Sequence, residues 1–104
     1  MDTVSALDSL NAQSFSEQLK TQFTINLEGS QPLRIELVEV IERATAPTME
    51  SFCLLFNGPA APRLSQGIVR LEHPKLGILD LFLGPVGLDN AGMIYEAVFN
   101  RFRK

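Results

Sequence analysis

The chain has 104 residues, enough for one domain and, by surface scaling, enough to bury about 65% of its extended surface without metals or disulfides. Its 45% hydrophobic and 20% charged content argues against disorder, and no apolar run approaches the roughly 20 residues of a membrane span. A net charge of −3 and a pI near 5.0 argue against a nucleic-acid partner, and the single cysteine excludes an internal disulfide and a cysteine-based zinc site.

Met1-Asp2-Thr3-Val4-Ser5 has neither a basic leader nor an apolar h-region, so a cytoplasmic protein without a secretory signal is expected. The chain reads as a single β-rich domain over 1–104, of which 1–21 form an N-terminal helical segment. Ser14-Phe15-Ser16-Glu17 fits a capping box, which predicts a short helix starting at Ser14 with Phe15 and Leu19 on one face. A preceding turn would pack Leu7 and Leu10 beside it. From Phe23 the period changes to two: Phe23, Ile25 and Leu27 alternate with polar residues, and Glu28-Gly29-Ser30-Gln31-Pro32 supplies a turn. Leu33, Ile35 and Leu37 alternate next, and the phase then slips by one at Val38, which predicts a β-bulge. After a loop over 44–50, Phe52 to Phe56 is continuously apolar, as in a strand covered on both faces or exposing an apolar one. Gly58-Pro59 ends it, and Gly67 opens the next strand. His73-Pro74-Lys75-Leu76-Gly77 is a hairpin turn. Leu79, Leu81 and Leu83 alternate until Gly84-Pro85, which reads as a stop because proline cannot donate to a ladder. A loop over 84–92 then leads to a last strand from Met93 to about Arg101. The expected fold is mainly β: a six-stranded antiparallel meander, closed as a small barrel or folded as a two-sheet sandwich, with a short N-terminal helix. The loops after the two Gly-Pro pairs should share one end of the molecule.

Catalytic signals are sparse. His73 is the one histidine and is explained by its turn, and Cys53 inside an apolar run behaves as a small buried hydrophobe. Asp80 and Glu96 interrupt apolar strands and could form a carboxylate pair, as glycoside chemistry requires, but outward positions on a half-exposed sheet explain both. Gly84-Pro85-Val86-Gly87 lacks the lysine and hydroxyl residue of a phosphate loop. No cofactor or metal is expected. The basic cluster Arg101, Arg103 and Lys104 reads as a solvated tail, or as a handle for an acidic partner.

Surplus apolar surface is the stronger signal. Ile78, Phe82, Ile94 and Val98 lie on the opposite phase from Leu79, Leu81, Leu83, Tyr95, Ala97 and Phe99. If the second set is core, the first forms an outward stripe with Asp80 and Glu96 set into it. Either the helix carrying Phe15 and Leu19 covers that stripe, or another chain does.

Gly58-Pro59, Gln66-Gly67, His73-Pro74 with Leu76-Gly77, Leu81-Phe82-Leu83 with Pro85-Val86-Gly87, and Tyr95-Glu96-Ala97-Val98-Phe99-Asn100 together resemble a bacterial family. It is a domain of unknown function, whose members are short, stand-alone and β-rich. The resemblance covers roughly residues 14–100. One departure is Ile68-Val69, where the family pattern tends to place an aromatic. The resemblance implies no activity or cofactor, and it implies an accessory of a phage-tail-like assembly. The leading expectation is a non-enzymatic module that works through a protein partner or self-association, with no membrane or nucleic-acid role. The competing one is a small-ligand-binding or hydrolytic barrel using Asp80, Glu96 and His73.

Overall fold

Asn11, not Ser14, starts the helix in the computed structural model, which describes residues 10–27, 29, 31–43, 46–61 and 64–102. Helix α1 (Ala12–Ser16) begins three residues earlier than predicted. Asn11 Oδ1 accepts from the Ser14 amide at 2.9 Å, and Ser14 Oγ accepts from the Asn11 amide at 3.3 Å. Asparagine caps as well as serine, and this frame buries both Ala12 and Phe15, three apart on one face. Glu17 is the C-cap instead of a capping-box partner, and Leu19 falls beyond the helix in turns, 38% exposed. Asn11→Ala should cost about 1 kcal/mol, read as a lower denaturant midpoint. Leu7, Glu28, Ser30, Ala44, Arg103, Lys104 and the Arg101 side chain lie outside what the structure describes.

Six strands follow: β1 (Gln22–Ile25), β2 (Leu33–Glu42), β3 (Met49–Gly58), β4 (Gly67–His73), β5 (Gly77–Asp89) and β6 (Gly92–Phe102). All neighbours are antiparallel, in one ring-like sheet of order β1-β2-β3-β6-β5-β4, with β4 returning to β1 through Thr24 and Glu72. The fold is therefore mainly β with a short N-terminal helix, as read from sequence, and forms one sheet instead of two. The meander is corrected at one point: β3 pairs with β6, not with β4, giving a Greek-key connection. Strand length supplies the reason. β3 is buried on both faces around Cys53 and pairs along all ten of its residues with the eleven-residue β6, whereas β4 has only seven to offer. The slip at Val38 is a bulge: Leu37 pairs with Phe56 and Glu39 with Leu55, leaving Val38 unopposed.

Pro85 does not stop β5. It lies opposite Tyr95, beside a bulge before Gly87, and strand pairing resumes to Asp89. A missing N–H is tolerated at a bulge, and also because β4 pairs with β5 no further than Leu83, leaving this stretch an edge. The expected loop over 84–92 shrinks to the turn Asn90-Ala91, held by Asp89 Oδ1, which accepts from the Ala91 and Gly92 amides at 2.8 and 3.0 Å. This turn does share one end with the 59–66 connection. Gly92, at φ +131°, lies against the Gly58 carbonyl, into which a Cβ would collide. Gly92→Ala should cost at least about 2 kcal/mol from the strained backbone alone, seen as a depressed thermal midpoint.

The core lies inside the ring, with Phe23, Ile35, Leu37, Phe56, Leu71 and Tyr95 fully buried. The Tyr95 hydroxyl accepts from the Leu64 amide at 2.9 Å, tying the β3–β4 connection inward. Phe15 closes one mouth of the ring, its ring centroid 6.1 Å from that of Phe52 and 5.9 Å from that of Phe99, which stack on each other at 4.5 Å. Helix α1 thus plugs an end of the sheet and does not cover its outer face.

Candidate interaction surface

Strand register sorts the four residues of the predicted outward stripe. Phe82 and Val98, each 55% exposed, share a cleft between β5 and β6; Ile78, also more than half exposed, lies farther along β5. Ile94 is half-buried between Gly87 and Asn57. Sequence therefore identifies the correct face but not the correct neighbours. The row through Phe82 and Val98 continues sideways: Val98 pairs with Cys53, Cys53 with Ile41, and Phe82 with Ile68, which is 76% exposed. Five strands thus contribute one apolar row, Ile41–Cys53–Val98–Phe82–Ile68. Cys53 is its one fully buried member, with Arg43 Nη2 donating toward its sulfur from 3.9 Å. Ile68 escapes the sequence reading because Ile68-Val69 is apolar on both phases.

The cleft holds about 270 Å³ and is lined by Gln66, Phe82, Pro85, Val86, Glu96 and Val98. It lies where the Pro85–Gly87 bulge disturbs the pairing of β5 with β6. Beside the apolar row runs a second one, in which Glu39 pairs with Leu55 and Leu55 with Glu96. Among the described residues neither Glu39 nor Glu96 has an ion-pair partner.

Asp80, Glu96 and His73 do not converge. Glu96 is opposite Gly84, four residues from Asp80, a separation of roughly 13 Å along the strand. That exceeds the roughly 5–9.5 Å between the carboxylates of glycosidases. Arg70 Nε and Nη2 donate to the two Asp80 oxygens at 2.9 and 3.2 Å, and this contact holds the exposed Asp80 carboxyl below its ordinary pKa.

His73 faces the interior, its ring centroid 4.5 Å from that of Phe23. Nδ1 accepts from the Lys75 and Leu76 amides at 3.0 and 3.2 Å, so the ring proton resides on Nε2, which donates to Thr21 Oγ1 at 2.9 Å. Thr21 in turn donates to the Gln18 carbonyl at 2.7 Å. Burial first, and the Lys75 charge second, push the His73 pKa below the ordinary histidine value. A wide cleft of about 430 Å³ at this end includes Thr24, Glu72, His73 and Ile78, but neither Asp80 nor Glu96. Both nitrogens of His73 are already engaged there. No group of three His, Cys, Asp or Glu side chains able to hold a metal occurs among the described residues, and no described helix is long and apolar enough to cross a membrane.

The chain matches a domain of unknown function (DUF6916) over residues 10–99. It belongs to that family. The DUF6916 match takes in α1, β1 to β5 and most of β6, so the Phe15 plug is part of the matched segment. No curated protein and no solved structure matches the chain. Most of the residues that carry the family resemblance have architectural work in this DUF6916 domain: Gly58 ends β3, His73 to Gly77 turn β4 into β5, and Tyr95 anchors the crossover. Phe82, Val86 and Val98 are also among them, and each is more than half exposed.

Proposed function

We propose that this DUF6916 domain is a non-enzymatic protein-interaction module that docks through the outer row centred on Phe82 and Val98. The supporting observation is that a phenylalanine, a valine and Ile68 stand exposed side by side on neighbouring strands, although the folded chain has a full core elsewhere. Contiguous exposed apolar surface of this kind usually marks an interaction site. A role as a cytoplasmic accessory of a phage-tail-like bacterial assembly is proposed on the family resemblance. A hydrolytic reading has no comparable support, because Asp80 is engaged by Arg70 and His73 by the backbone of its own turn.

The double variant Phe82→Asp/Val98→Asp tests the module reading. Both side chains face outward, so the thermal midpoint should move by only a few degrees. Light scattering, on the protein alone and mixed with collar and fibre proteins of such an assembly, should show association lost. A variant that keeps all association of the parent protein removes the row from the docking reading.

A further inference from the structure

We infer that the docking face takes an extended, basic segment of a partner protein, with an apolar side chain at one position and a lysine or arginine two positions along. This rests on the module reading above and specifies the partner's chemistry. Val98 and Glu96 point to the same side of β6, two residues and about 7 Å apart, and both line the cleft with Phe82. An apolar side chain seated between Phe82 and Val98 leaves the Glu96 carboxylate beside the segment that carries it. Among the described residues Glu96 has no ion-pair partner, while Asp80, on the far side of Phe82, is already matched by Arg70. Glu39, two strands away in the row of Glu96 and about 10 Å from it, extends the same negative field. A cation delivered two residues along reaches Glu96 in a partly dehydrated cleft, where a charge-assisted hydrogen bond is stronger than on an open surface.

Three synthetic nonapeptides test the inference. One is Leu-Ser-Lys-Ser-Leu-Ser-Lys-Ser-Leu; the others carry Gln or Glu in place of Lys. In titrations of isotopically labelled protein, the Lys peptide should shift the Phe82, Val98 and Glu96 amides. It should bind about tenfold tighter than the Gln peptide, the Glu peptide should bind weakest, and Glu96→Gln should erase the Lys–Gln difference. Glu96 is outward and unpaired, so the thermal midpoint of that variant serves as its folding control. Equal binding of the Lys and Gln peptides at Phe82 and Val98 overturns the basic requirement and leaves the docking face standing. Shifts elsewhere, or none with the Lys peptide, overturn the inference, and the double aspartate variant then decides the docking reading separately.

Discussion

Phe15→Ala should lower the unfolding free energy by about 3–5 kcal/mol, among the largest losses available to a single truncation in this chain. Helix α1 has only five residues, far too few to be stable in water by itself. Its place therefore depends on what it buries, chiefly Phe15, which is fully enclosed against Phe52 and Phe99. Removing the ring leaves a void at the mouth of the sheet and takes away the anchor that holds the helix there. Urea titration separates two results. A lower midpoint with an unchanged slope means that the plug stays docked over a cavity. A smaller slope means that α1 has left the native state, so that less surface remains to be exposed on unfolding. A loss below about 1 kcal/mol would contradict the plug.

The second large effect belongs to His73. His73→Ala leaves the Lys75 and Leu76 amides without their acceptor and Thr21 without its donor, and should cost about 3 kcal/mol. It should also change the response to acid. The folded pKa lies below the ordinary value of 6.5, so the unfolded chain binds more protons once the pH falls under that value. Stability from this residue is complete at neutral pH and declines as pH drops from 6.5 toward the folded pKa. His73 is the one histidine, so in the upper part of this window the decline belongs to it. Urea midpoints at about pH 5.5 and about pH 7.5 should differ less in His73→Ala than in the parent. Equal differences in the two proteins would refute the neutral, doubly bonded ring.

Local signals carried much of this architecture. Period-two patterning and, for β3, a continuous apolar run located the strands, the one-residue slip at Val38 located the bulge, and His73-Pro74 located the β4–β5 turn. The errors come from choices that local sequence leaves nearly balanced, or that depend on distant residues. Two overlapping capping patterns compete at 11–17, and burial of Ala12 beside Phe15 favours the earlier. Pro85 looks like a terminator until its strand is known to be an edge with a bulge; the edge follows from the β4 register and the bulge from the β6 register. The pairing of β3 with β6 depends on matching the lengths of two strands on either side of a 33-residue gap. The same limit applies to the candidate site. Phase alone placed Phe82 and Val98 outward, but only register shows that Ile78 and Ile94 belong to other rows and that Ile68 and Cys53 belong to this one.

The pairing of β3 with β6 also bears on how the chain is made. During synthesis β1, β2 and β3 leave the ribosome first, and β3 then presents Phe52, Leu54 and Phe56 along a ten-residue edge whose partner has not been translated. The nearest contact joins Gly58 to Met93 and the farthest joins Met49 to Phe102, so the sheet cannot become a ring until β6 has emerged. Such non-local pairing folds slowly, and an uncovered apolar strand is a template for the wrong neighbour in the meantime. Nascent chains stalled before Met93 should therefore be protease-sensitive and prone to aggregate, whereas chains stalled on an added C-terminal linker long enough to free Phe102 from the exit tunnel should resist digestion.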